Sequence, residues 1–243
     1  GDLKVGSAFT VGQAGVVTAS GIRVGSGITI DSASGIITAT AFVGALTGNV
    51  TGNISGGTVA GSTGTFTGDV DIADKIIHTG DTNTAIRFPA ADTFTVETAG
   101  SERFRVTSTG GLHLNNAELM ERVNITAGKL SDNQNINLDN GMVHLFTTTE
   151  TATSTPNIIS NAGINTSMAT GDALSVNIIT TTAAAAYSER VKIDGLLTGI
   201  TTSWNGGSAP SAGGSSGKDF YSYTIIKTGD AAFTVLGNLS NFA

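Results

Sequence analysis

From residue 42 to residue 70 the even positions read Phe42, Gly44, Leu46, Gly48, Val50, Gly52, Ile54 and Gly56, then Thr58, Ala60 and Ser62, then Gly64, Phe66, Gly68 and Val70. The odd positions are mostly Thr and Asn, among them Thr47, Asn49, Thr51, Asn53, Thr65 and Thr67. Side chains alternate faces along a strand, so one face carries bulky residues and glycines in turn. Fully extended at about 3.3 Å per residue, this stretch reaches roughly 95 Å, far beyond the 3–10 residues usual for a globular strand. One large side chain per four residues contributes about 1.5–3 kcal/mol when buried. Ordering each of those four residues costs about 1–2 kcal/mol. A lone chain loses that contest. Several chains wound together win it, with the knobs of one filling the glycine slots of another. A flexible Gly/Thr linker is the plain alternative, but it has no reason to keep apolar residues in register.

Upstream, Val5-Gly6-Ser7-Ala8-Phe9-Thr10-Val11 matches Val24-Gly25-Ser26-Gly27-Ile28-Thr29-Ile30, and Gly15–Ser20 matches Gly35–Thr40. Each repeat reads as two short strands about a turn and must stack on neighbours to bury a face. Their spacing of about 20 residues also suits a single-chain β-solenoid, the architectural rival. Downstream, Asp92–Glu97 and Arg103–Val106 alternate and flank Thr98-Ala99-Gly100-Ser101, a hairpin signal. Ile86, Phe88, Phe94, Val96, Phe104 and Val106 are expected to form a small core there, and Asn116–Arg122 one capped helical turn. Beyond residue 122, strands are expected at Met142–Thr147, Ala173–Thr180, Arg190–Ile193, Gly199–Trp204, Asp219–Lys227 and Ala232–Leu236. Their spacing suits a sandwich or jelly roll.

The expected fold class is therefore all-β. An intertwined, trimeric fibrous β shaft leads to a small β-hairpin module and a C-terminal antiparallel β-sandwich or jelly-roll domain. The expected boundaries are 1–41 for the short repeats, 42–70 for the shaft strand, 71–122 for the hairpin module and 123–243 for the last domain. The shaft's trimer interface is assigned to Phe42, Leu46, Val50, Ile54, Phe66 and Val70, with Gly48, Gly52, Gly64 and Gly68 as slots.

Composition agrees with β structure and narrows the function. The chain has 33 Gly and abundant Thr, but only 13% charged residues. Five charged side chains fall in residues 1–70, thirteen in 71–122 and thirteen in 123–243, so the expected shaft is almost uncharged. A net charge of −7 argues against nucleic-acid partners and anionic membrane surfaces. No apolar run approaches the roughly 18 residues of a membrane span. The absence of cysteine removes disulfides and thiol chemistry. Beginning at Gly1 without Met, the chain is expected to be part of a longer protein.

Asp74–Pro89, Thr93–Gly100 and Arg103–Gly110 resemble a module that recurs in tail fibres and virion structural proteins of marine cyanophages. Leu46-Thr47-Gly48-Asn49-Val50-Thr51-Gly52-Asn53-Ile54 resembles their repeated spacers, and Trp204–Gly217 with Phe220–Lys227 resembles a terminal β-domain of related phage proteins. The resemblance spans about two-thirds of the chain and is most specific in the middle module. It implies a homotrimeric structural or adhesive fibre on the surface of a phage particle. Its partners would be itself, other tail or head proteins of the virion, and a host cell-surface glycan. A head or neck appendage with a scaffolding role is the alternative reading, and a spike enzyme that degrades host polysaccharide the more distant one.

No enzyme is expected. Glycosidases need two placed carboxylates roughly 5–10 Å apart. Asp81, Asp92, Glu97 and Glu102 are available, but charge alternation on a hairpin surface accounts for them. No nucleophile elbow or phosphate loop is present. His78, His113 and His144 do not sit at ligand spacing, so neither a metal nor another cofactor is expected. Trp204, Tyr187, Tyr221 and Tyr223 are read as core filling before sugar stacking. Trp204, Asn205, Gly206, Gly207 and Ser208, opening the loop that runs to Gly217, are the candidate receptor contact, because loops on rigid scaffolds carry recognition.

Overall fold

The structure, a computed structural model, describes residues 64–243. The repeats of residues 1–41 and the shaft positions Phe42, Leu46, Gly48, Val50, Gly52 and Ile54 lie outside the described residues. Of the expected shaft face, Gly64, Phe66, Gly68 and Val70 are described, and all four are exposed. Residues 64–74 carry no strand, so the strand expected to run through Val70 is absent over its last seven positions. Among the described residues those from 64 to 73 have no ladder partner, which a strand needs to satisfy its backbone, and Asp74 meets the meander through a hydrogen bond from the Phe88 N–H at 2.8 Å.

The first sheet is an antiparallel meander of β1 (Lys75–His78), β2 (Asp81–Ala90), β3 (Thr93–Thr98), β4 (Ser101–Val106) and β5 (Leu112–Leu114), in that spatial order. The expected hairpin is β3–β4. Its two-residue turn, Ala99-Gly100, has φ of 52° and 70°, the paired left-handed geometry that matches strand twist. The six residues expected to form a small core do share one face of this sheet. They do not form a closed core, however: Ile86 and Phe88 are exposed and the other four only half-buried. Nothing in the described chain layers over them. The helical turn expected at Asn116–Arg122 is also absent, that stretch being exposed and irregular. One turn without a packing partner does not offset its nucleation cost.

Beyond it lie β6 (Val123–Thr126), β7 (Asn135–Asn137), β8 (Val143–Thr149), β9 (Asn157–Ile159), a single helical turn α1 (Ile164–Ser167), β10 (Ala173–Thr181), β11 (Lys192–Ile193), β12 (Ile200–Trp204), β13 (Lys218–Gly229) and β14 (Ala232–Phe242). They build a six-stranded sheet in the order β12-β14-β13-β10-β8-β6 and a three-stranded sheet in the order β11-β9-β7. The all-β class holds. The antiparallel pairing expected of it is found in the centre, β10–β13–β14, and in the meander. The flanks differ: β6–β8, β8–β10 and β12–β14 are parallel, as is the whole small sheet. From β6 to β11 the chain shuttles between the two sheets, laying each pass beside the last. This part of the sandwich is thus a short parallel stack, closed by the long β13–β14 hairpin.

One hydrophobic core lies between these two sheets. Phe146, Val176, Ile178, Tyr221, Tyr223, Ile225, Phe233 and Val235 enter it from the large sheet, and Ile136, Ile158 and Ile193 from the small one. Alternation along β13 is complete: Asp219, Tyr221, Tyr223, Ile225 and Lys227 are buried, while the residues between them are half-buried. The stack is also pinned by polar ladders. Asn157 donates to the Asn135 side chain beside it at 2.9 Å, and the Ser154 and Ser188 hydroxyls meet at 2.7 Å.

Three buried charged residues hold loops to this frame. Glu150 accepts from the backbone N–H groups of Leu130 (2.8 Å) and Ser131 (2.9 Å), and so fixes the 3₁₀ turn there. Lys227 donates to the carbonyls of Asn165 and Met168 at the end of α1, the latter at 2.9 Å. Asp219 accepts from the Gly214 N–H with both oxygens, at 3.0 and 3.1 Å, and from Asn241. Hydrogen bonds of this kind offset the cost of burying such polar side chains.

Candidate functional site

The candidate receptor loop begins where β12 ends. Trp204 closes the strand, Asn205–Gly207 form a 3₁₀ turn, and Asn205, Gly206, Gly207 and Ser208 are exposed. The far end of the loop is anchored. Gly213 donates to Ala184 O at 3.1 Å, and Gly214 is held by Asp219. A Cβ on Gly213 would come within 2.4 Å of Ala186 O, so only glycine allows this approach. The tip is therefore free to meet a partner while the base is rigid.

Trp204 does not share the exposure of its neighbours. Its ring packs on the core, edge-on to Tyr223 with centroids 5.8 Å apart, and its Nε1–H donates to Glu189 O at 2.7 Å. This is the packing role weighed for it from sequence. The aromatic contribution to a sugar-binding face is correspondingly small: Tyr221 and Tyr223 are buried as well, with nearly parallel rings 6.2 Å apart. Burial pushes both phenols well above their ordinary range, so neither ionises at working pH.

Residues that sequence reading did not single out complete the surface. Beside the loop tip, the outer side of β12, β14 and β13 forms an open groove of about 380 Å³, lined by Ser203, Asn205, Ser222, Thr224, Leu236 and Asn238, with Trp204 and Gly237 at its border. The register explains the assembly: Ser203 lies opposite Leu236, which lies opposite Thr224, and Asn238 lies opposite Ser222. Asn205 donates to the Asn238 amide oxygen at 3.2 Å, tying the loop tip to the groove floor. Hydroxyls and amides around one aliphatic side chain suit a neutral, polyhydroxylated ligand. The groove joins β12 to the later β13–β14 hairpin, so only their pairing could have revealed it.

The other acidic and histidine candidates stand on the meander and on β8. Glu97 and Glu102 lie opposite one another across β3–β4, but each has its own guanidinium: Arg87 is 3.7 Å from Glu97, and Arg105 donates to Glu102 at 2.8 Å. The hydrogen bond from Arg105 holds the Glu102 carboxyl below its usual range. Asp81 accepts from Thr84, and Asp92 sits in the β2–β3 turn. His78 and His113 are exposed on strands of the meander. His144 is fully buried on β8, donating from Nε2 to Gly141 O at 3.0 Å and accepting at Nδ1 from Asn124 at 3.2 Å. That arrangement fixes the neutral tautomer, and burial lowers the imidazole's affinity for a second proton. Among the described residues no group of acidic or histidine side chains is placed to hold a metal ion. No described helix is long and apolar enough to cross a membrane. No known protein family, curated protein or solved structure matches the chain.

Proposed function

We propose that this chain is a structural and adhesive fibre protein of a bacteriophage virion, displayed on the particle surface as a homotrimer that presents its C-terminal β-domain to the host. The observation that carries the reading is the alternation of bulky residues and glycine from Phe42 to Val70, a pattern that gains stability only between chains. The likeness of Asp74–Gly110 to modules of cyanophage fibres supplies the setting. The adhesive part is supported by the exposed tip Asn205–Ser208 beside a groove of hydroxyls and amides, with a host-surface glycan as its ligand class.

The test is the solution mass of the purified chain before and after heating in detergent. A heat-resistant trimer supports the reading, and a monomer at micromolar concentration ends it. The adhesive part is tested separately, by binding of the chain to purified host polysaccharide with and without Asn205→Ala and Asn238→Ala. Binding that is the same for all three proteins removes the groove from the reading.

A further inference from the structure

The β1–β5 meander is amphipathic across its full width. On one face, Ile76, Ile86, Val96, Phe104 and Leu114 lie opposite one another in a continuous row from the first strand to the last. Phe94, Val106 and Leu112 form a second row beside it. Phe88 joins that row through Phe94, with ring centroids 6.4 Å apart, and Phe94 meets Phe104 edge-on at 6.0 Å. The opposite face carries Lys75, Arg87, Thr95, Arg105 and His113 in one row. Its arginines find carboxylates nearby, Arg87 at Asp74 (2.8 Å) and Arg105 at Glu102, so that face needs no partner.

The apolar face has no such completion. Leu112 is 71% exposed, Ile76 53%, Leu114 48%, Phe88 43% and Ile86 40%. A sheet with a hydrophobic face becomes stable when something covers that face. At ~200 Å² per large side chain, these five exposed residues alone leave roughly 500 Å² open, a substantial part of the ~800 Å² that each partner contributes to a standard interface, and the other four of the face are half-buried beside them. That is at the upper end of the ~300–600 Å² of the largest apolar patch on a monomer, a size at which such patches are often functional.

The geometry points to this face being a self-association surface, buried against the same face of further copies of the chain. The face contains no charge and no hydrogen-bonding side chain in either row, so a surface of mixed chemistry would leave polar groups stranded against it. An identical face offers the same two apolar ridges and strands nothing. The residues entering the sheet continue the pattern: Phe66, Val70 and Ile72 are 72, 49 and 37% exposed. The inference rests on the proposed oligomer only in naming another copy as the occupant. It moves a principal contact from the shaft to the meander.

The test uses the full chain, which has no cysteine of its own. Leu112→Cys and His113→Cys place one thiol on either face of the same edge strand, where both side chains are exposed in the single chain. In the assembled protein the Leu112→Cys thiol is expected to react with a maleimide roughly tenfold more slowly than the His113→Cys thiol, because burial limits access to the thiolate. The difference should vanish on dilution to a monomer. Equal rates in a protein that sedimentation shows to be oligomeric overturn this inference and leave the fibre reading intact. Protection that persists in a demonstrated monomer also overturns it, and assigns the cover to residues of the same chain. A protected Leu112→Cys thiol in an oligomer that Val50→Asp fails to weaken overturns the shaft interface alone.

Discussion

Trp204 lies directly over Gly237 across the parallel β12–β14 pair: a Cβ on Gly237 would stand 3.0 Å from both Cε3 and Cζ3 of the indole. Tyr223 is the neighbour of Gly237 on the other side, so glycine provides the gap in which two aromatic rings meet. Gly237→Ala is expected to destabilise the domain by about 1 kcal/mol and Gly237→Val by about 2–3 kcal/mol, through overpacking. Trp204 is the sole tryptophan, so urea unfolding followed by its fluorescence reads both stability and ring environment. An unchanged midpoint and emission for Gly237→Val would show that the ring is not seated there.

Tyr223 is fully buried, and its hydroxyl has no hydrogen-bond partner among the described residues. An unmet buried hydroxyl costs free energy that its removal returns. Tyr223→Phe is expected to raise stability by about 1 kcal/mol. A loss of similar size in a denaturant titration would mean that the hydroxyl is bonded in solution.

Asp219 joins the loop base to β13 and β14 through Gly214 and Asn241. Asp219→Ala leaves the buried Gly214 N–H without its acceptor, while the exposed Asn241 amide turns to water, at a cost of about 1–3 kcal/mol. Its local signature is faster hydrogen exchange and proteolysis within residues 205–217 than elsewhere in the domain. Uniform acceleration across β13 and β14 would deny the anchor role.

His144 is neutral and buried in the folded chain, with its proton affinity lowered, whereas in the unfolded chain it titrates near its ordinary value of about 6.5. The unfolded state therefore binds more protons below that pH, and stability contributed by this site falls as pH drops through it. His144→Gln, which keeps a donor and an acceptor but does not titrate, is expected to flatten the stability profile between pH 7 and pH 5. Parallel profiles for the two proteins would locate the acid sensitivity elsewhere.

For the shaft, Val50→Asp is expected to weaken the oligomer at least tenfold, about 1.4 kcal/mol, whereas Thr51→Asp on the other face has little effect. Sedimentation across a concentration series separates them. Equal weakening would mean that the faces are assigned wrongly.

The strands that carried strong alternation were legible in the sequence. Ala173–Thr181 and Lys218–Gly229 stand within a residue or two of where Val176, Ile178, Tyr221, Tyr223 and Ile225 placed them. Val123–Thr126, Asn135–Asn137 and Asn157–Ile159 were not. They are three or four residues long, and asparagine is a poor strand former, so nothing local marks them. Their stability comes from the neighbouring pass of the chain, as in the Asn157–Asn135 amide bond. Parallel pairing was equally hidden, because a period of two is the same whichever way the partner runs. At the candidate site the loop tip was legible from Asn205-Gly206-Gly207-Ser208, but the groove was not, since Ser222, Thr224 and Asn238 become its lining only through register.

The order of strands in the large sheet also sets an order of events. β6, β8 and β10 form one flank and β12 the opposite edge, yet β13 and β14, which join them, come later in the chain than all four. A ribosome thus delivers the two borders of the sheet before its middle. Until β13 and β14 emerge, β10 presents an open edge and Val176 and Ile178 face no hairpin, so the nascent domain has an interval in which its core is unfinished. Shielding that interval is a task for chaperones, or for rapid closure of the β13–β14 hairpin, whose two arms are the nearest in sequence of any pair in the sheet.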